Sequence, residues 1–229
     1  MRVLVVAPHA DDESLGAGGT IARHAAEGDE VFIAVMTGPG QGAHPVFPRE
    51  TWDVVRAEAA RAAEVLGVKQ LAFRELPAVL VSDQPVHEVN REAAEVLEEF
   101  TPDVLYVPFP YDLHRDHREI FYAFSVAWRP NTALGRGVCE VYAYETVSET
   151  HWNPAYLEPG FTPNAFVDIA DHLETKLDAL ACYASQMAEF PHFRSIEAVE
   201  AQARWRGAQV GMHAAEAFVS VRQLRPARS

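Results

Sequence analysis

Along this chain, short unbroken apolar runs alternate with longer stretches whose apolar positions recur every three or four residues. Arg2–Ala7, Val31–Thr37 and Asp103–Pro108 are runs of the first kind, closed at Pro8, Gly38 and Pro108. Continuous apolarity of that length predicts strands buried on both faces. Gln70–Arg74, Glu140–Thr146 and Ala165–Ile169 are weaker strand candidates. The helical pattern covers Gly16–Ala26, Glu50–Leu66, Val86–Phe100 and Glu119–Trp128. Gly28 and Gly67 stop the first two, and Pro85 stands near the start of the third, as helix termini favour. After Thr146 the pattern loosens. His151–Pro163 reads as a loop rich in Pro and aromatics, and Asp171–Met187 and Ile196–Phe218 read as helices, the second weakened by Gly207 and Gly211.

Strand–helix alternation with apolar strands predicts a parallel sheet covered by helices on both faces. The 229 residues are short for eight βα units, which take roughly 250. The expectation is an α/β protein with a Rossmann-like, doubly wound, mostly parallel sheet. No repeat or low-complexity segment divides residues 1–229, so a single domain is expected.

Composition narrows the partners. Apolar residues make up 48% of the chain, enough for a full core, and the formal charge is −14. Lys and Arg form no stripe, which disfavours nucleic acid and an anionic membrane surface, since both need a positive field. The two cysteines, Cys139 and Cys182, make no CxxC pair and no disulfide framework. With no long apolar segment besides, a cytoplasmic protein is expected.

The candidate chemistry lies where two strands end. Pro8-His9-Ala10-Asp11-Asp12-Glu13 follows the first strand. Acids at such a turn often only cap the next helix, but a His three residues before Asp12 makes an imidazole–carboxylate pair suited to a metal. Asp11 must then point elsewhere and is free to act as a base. Leu15–Ile21 is glycine-rich, yet it fails the dinucleotide pattern because Ile21 stands at the sixth position from Gly16. These glycines suit a sharp turn and close helix packing. The second cluster, His114-Arg115-Asp116-His117, follows Asp103–Pro108. In the common doubly wound order, the first and fourth strands are neighbours at the switch point, where ligands bind. His9, Asp12 and His117 then face one crevice as a two-His, one-carboxylate set, with Asp116 placed to orient His114.

These residues resemble the LmbE/PIG-L family of zinc-dependent N-deacetylases. The resemblance rests on the PHPDDE-like and HPDH-like motifs above, on Arg56-Ala57-Glu58 and on Tyr183-Ala184-Ser185-Gln186. Ala215-Glu216-Ala217-Phe218 is similar to the family's closing helix, so nearly the whole chain is covered. Ala10 and Arg115 replace the motifs' prolines and put substrate preference, more than chemistry, in question. The resemblance implies one Zn2+ per chain, or another divalent metal, on His9, Asp12 and His117. It implies Asp11 as general base and His114 as general acid or oxyanion partner, the latter protonated beside the metal, with Asp116 in support.

The implied reaction is removal of an N-acetyl group from a glucosamine-like sugar or conjugate, with Arg56 as a substrate contact. Tyr111, Asp112, His114 and Arg115 are expected to meet sugar hydroxyls and rings. Phe161, Trp152 and Tyr156 are read as anchors of a homo-oligomer. Two other classes fit the same residues: a non-haem iron enzyme on the same ligand set and a catalytically silent sugar-binding module.

Overall fold

A computed structural model describes residues 1–225. Seven strands form one sheet: β1 Arg2–Ala7, β2 Glu30–Gly38, β3 Gln70–Pro77, β4 Val104–Pro108, β5 Glu140–Tyr144, β6 Ala165–Asp168 and β7 Ala215–Gln223. Their order is β3-β2-β1-β4-β5-β7-β6. The first five are parallel, and β7 runs antiparallel between β5 and β6. The chain leaves β1 toward β2 and β3, then crosses to β4 and β5 on the other side. The switch point between β1 and β4 is therefore where the sequence pattern places it.

Alternation along β1 explains the unbroken apolar runs. Val3, Val5 and Ala7 face one layer, with α1 (Asp12–Ala26), α2 (Arg49–Val65) and Ala179 of α6 (Leu173–Ala181) packed on it. Leu4 and Val6 face the other, under α3 (Val86–Phe100) and α4 (Arg115–Ala127). From Val3 to Ala7 both faces of the strand are dry, so every side chain there is apolar. The helix α5 (Ala133–Gly137) precedes β5, and α7 (Ile196–Val210) precedes β7. The glycines of α1 serve close packing. A Cβ on Gly16 would sit 2.2 Å from the Tyr144 ring, and one on Gly19 would sit 2.7 Å from Ile169.

The elements differ from the sequence reading in three ways. The helix over Ile196–Phe218 ends at Val210, because Gly211 takes the left-handed conformation at φ 77° and closes it. Ala215-Glu216-Ala217-Phe218 is consequently strand β7, not a closing helix. The helix over Asp171–Met187 stops at Ala181, freeing Tyr183 to turn inward toward Glu13. Finally, α1 and α4 each begin four residues before the apolar pattern does, at Asp12 and Arg115. Their first turns are built from site residues, whose polarity hides them from hydrophobic periodicity. Of the aromatics read as interface anchors, Trp152 and Tyr156 are exposed. Phe161 packs on Phe109 within this chain, their ring centroids 5.2 Å apart.

One buried ion pair ties β7 to α1. Lys176 and Glu216 are 2.5 Å apart and nearly inaccessible. Glu216 also accepts from the Gly19 and Thr20 amides, and the Lys176 ammonium donates to the Leu15 carbonyl. Removing one partner of a buried pair leaves an uncompensated charge, which typically costs about 3–5 kcal/mol. Glu216→Ala is expected to lower the urea unfolding free energy by about that much. A change below about 1 kcal/mol would show that the pair contributes little.

Candidate metal centre and active site

His9 leaves the end of β1, Asp12 opens α1, and His117 lies in the first turn of α4. One donor atom from each comes within 4.8 Å of the others. The Nδ1 of His9 lies 3.3 Å from Asp12 Oδ2, and the Nε2 of His117 lies 3.2 Å from the same oxygen. Each imidazole is fixed through its other nitrogen. Asp116 Oδ2 holds His9 Nε2 at 3.0 Å, and Asp112 Oδ2 holds His117 Nδ1 at 2.8 Å. A carboxylate behind each histidine sets the tautomer and turns the free nitrogen toward the shared point, the usual support of a metal ligand.

Asp116 therefore orients His9, and not His114 as the sequence suggests. Its carboxylate also accepts from the amides of Val79 and Val81, and from His114 it receives no side-chain bond. Only its backbone amide meets His114, donating to Nδ1. Asp116 is fully buried, so its reach to substrate is blocked and its part is support. Val79 sits at φ 61°, unusual for a β-branched residue, and this conformation accompanies the bond from its amide to Asp116. Asp112 is held in turn by the Thr150 hydroxyl at 2.6 Å.

The residues fit a divalent cation. His117 Nε2 and Asp12 Oδ1 are buried and lack hydrogen-bond partners among the described residues. Asp11, Asp12, Glu13, Asp112 and Asp116 are all buried around the two histidines, a density of negative charge that needs compensation. Its electrostatic signature is clear. Burial opposes charge on His9, but the bonds to Asp116 and Asp12 overcome it and raise its pKa to about 9. Burial likewise opposes charge on His117, and Asp12 and Asp112 raise it. Asp12, despite its burial, is lowered well below the usual range, chiefly by His117. The pocket draws positive charge to the point where the three donors meet.

Asp11 faces away from those donors. It stands at φ 130° just before α1 and makes no capping bond; such backbone costs about 1–3 kcal/mol and clusters at functional sites. The turn sends Asp12 to the metal set and Asp11 to an adjoining cavity. Glu13 accepts from the Asp11 amide and is itself bound by Tyr183 at 2.5 Å and Ser14 at 2.7 Å. Burial pushes Asp11 up to about 7 against the opposing charge of Arg194, with Asp12 and Glu13 adding to the rise. Arg194 Nη1 lies 2.7 Å from Asp11 Oδ2, while Asp11 Oδ1 has no hydrogen-bond partner among the described residues.

His114 lines the same cavity. Its Nδ1 accepts from the Asp116 amide at 3.2 Å, which places the proton on Nε2. Burial, together with His9 and His117, pushes it down to about 4. That shift runs against the protonated His114 expected from sequence, and in the neutral ring Nε2–H is the available donor.

The cavity has a volume of about 220 Å³. Of the residues expected to meet sugar, only His114 and Arg56 line it. Asp112 is committed to His117, Tyr111 packs on Phe109, and Arg115 is exposed. Arg56 pairs with Glu75 at 2.6 Å and lies over the Phe73 ring. Glu58 accepts from the Ser185 amide and hydroxyl, which is how the Arg56-Ala57-Glu58 and Tyr183–Gln186 motifs meet. Sequence reasoning missed Arg194, Glu149, Trp52 and Phe47 at the cavity. No motif marks them. Only the position of Arg194 eight residues after Gln186, to which it bonds, offered a lead.

Residues 4–128 match the family described as PIG-L, GlcNAc-PI de-N-acetylase. A diacetylchitobiose deacetylase of Thermococcus kodakarensis is 30% identical over 82% of this chain and 71% of its own length. The N,N'-diacetylchitobiose deacetylase of Pyrococcus horikoshii, solved with an inhibitor, superposes with a TM-score of 0.74 at 24% identity, over 96% of this chain and 83% of that one. A 4-carboxy-2-hydroxymuconate hydratase from Pseudomonas putida superposes as well, with a TM-score of 0.76 at 22% identity over the whole of both chains. The fold thus carries more than one chemistry, and the site has to choose between them.

The carboxylates behind the histidines supply a direct test. Asp112→Asn and Asp116→Asn each keep the three donor residues but weaken the hold on one imidazole. Each is expected to lower affinity for a divalent cation about 10–100-fold, measured by competition with a chromophoric chelator. Unchanged affinity in both variants would remove them from the metal's support.

Proposed function

The chain belongs to the PIG-L family of de-N-acetylases, and on that premise we propose that it hydrolyses the N-acetyl group of a glucosamine-like sugar or sugar conjugate. The observation that carries the reading is Asp11: a buried carboxylate with one oxygen unpaired among the described residues, held on a strained turn directly beside the candidate metal donors. A hydrolase needs a base at that place, whereas a binding module does not.

Two imidazoles and one carboxylate suit zinc with an open position. Such an ion would supply the Lewis acidity that polarises an amide carbonyl and lowers a water's pKa toward neutrality. Asp11, held near 7, takes the proton from the attacking water. His114 offers its Nε2–H to the carbonyl oxygen as negative charge develops there; a donor of this kind is typically worth about 3–4 kcal/mol. Asp11 then returns its proton to the leaving nitrogen, so the amine departs neutral. Arg194 keeps the Asp11 carboxylate in place through one oxygen and leaves the other free. Arg56, fixed by Glu75, has guanidinium donors left for a substrate hydroxyl.

The test is release of primary amine from N-acetylglucosamine conjugates with defined metals. Activity is expected to vanish with a chelator and return with added zinc. Asp11→Asn should keep the metal and lose about 10²–10⁴-fold in kcat. An Asp11→Asn protein that no longer binds metal would make this residue a ligand and not the base.

A further inference from the structure

The cavity beside the metal set is larger than an acetyl group requires, and its two sides differ in chemistry. At about 220 Å³ it exceeds the roughly 150 Å³ of an apolar cavity that takes up benzene. The polar groups Asp11, His114, Glu149, Gln186 and Arg194 come from segments that follow β1, β4, β5 and α6. Several bond to one another, Arg194 to both Asp11 and Gln186. The opposite wall comes from β2, α2 and β3, the segment joining β2 to α2 and the turn after β3, and it presents Val35, Phe47, Trp52, Val55, Phe73 and Val79. By sheet order that wall lies on the β2–β3 side of the metal set.

Its polar groups are few, and part of them is already engaged. The Thr37 hydroxyl donates to the Pro8 carbonyl at 2.7 Å. Arg56 gives Nη2 to Glu75 and lies 5.1 Å above the Phe73 ring, which leaves its other guanidinium donors and the buried Trp52 indole N–H as the donors of this wall. Thr51 adds one hydroxyl. A sugar ring pressed flat on the apolar side chains would lose water from more hydroxyls than these few donors can serve, which is costly. An apolar group would lose nothing and bury its surface.

We propose that the chamber between β2, β3 and α2 receives an apolar group, an aryl ring or branched alkyl chain, that the substrate carries next to its scissile amide. The inference rests on the deacetylase reading and narrows its substrate class to amides with such a group. The group can belong to the acyl side or to the amine-bearing side. The chemistry recognised is the same, and the assay separates the two.

The experiment compares amine release from N-acetylglucosamine, from its phenyl glycoside and from N-phenylacetylglucosamine. One of the two aryl substrates is expected to exceed N-acetylglucosamine in kcat/KM by roughly 10-fold or more, mainly through KM, since even one methylene in an apolar pocket is worth 10–200-fold. The glycoside winning places the group on the amine side; the phenylacetyl compound winning places it on the acyl side. Val55→Asn, which makes the wall polar, and Val55→Phe, which fills the chamber, should both erase the advantage. Equal kcat/KM for all three substrates would overturn the inference and leave the deacetylase reading standing. No turnover of any of them would instead count against that reading. The chamber is then judged by phenylacetamide alone: quenching of tryptophan fluorescence in the native protein but not in Val55→Phe supports it, and no quenching in either contradicts it.

Discussion

Five carboxylates, Asp11, Asp12, Glu13, Asp112 and Asp116, are buried together at the carboxyl ends of β1 and β4. Water cannot solvate them there, so each needs a hydrogen bond, a cation or a proton. The structure answers differently for each. Glu13 takes two hydroxyls and an amide, Asp112 takes a threonine and a histidine, and Asp116 takes two amides and a histidine. Asp11 has Arg194 on one oxygen. Asp12 accepts from the His9 amide and has the imidazoles of His9 and His117 turned toward the same oxygen, a donor set that suits a divalent cation.

That constraint also accounts for the local backbone. Adjacent Asp11 and Asp12 have to serve different partners, and an ordinary helical start would send them along similar paths. The turn at φ 130° separates them, and the Glu13–Tyr183 bond braces it from α1 to the segment after α6. Tyr183 can reach Glu13 because α6 ends at Ala181. The close approach of α1 to the sheet, which Gly16 and Gly19 permit, brings Asp12 to the height of His117.

How much of this could be read from sequence follows from distance along the chain. His9, Asp12 and His117 were legible because each motif is contiguous and the parallel order brings the ends of β1 and β4 together. The partner of Asp116 was misread because it is His9, 107 residues away, while His114 is only two positions off. Arg194 lies 183 residues from Asp11, in a loop with no periodicity. Strand β7 was hidden because Ala215–Phe218 alternates small and larger residues in a way a helix also permits, and only Gly211 signalled the break. The apolar chamber was invisible for a different reason: Val35, Val55 and Phe73 fall at positions that read as ordinary core.

The central claim is that one divalent cation is held by His9, Asp12 and His117. X-ray absorption at the metal edge of the zinc-loaded protein addresses it most directly. The account predicts one ion per chain, with a nitrogen and oxygen shell near 2.0–2.2 Å, the outer-sphere signature of two imidazoles and no sulfur; the spectrum of His117→Ala should show one imidazole fewer or no bound ion. A sulfur shell, or an undiminished two-imidazole signal in His117→Ala, would place the metal elsewhere and contradict the account.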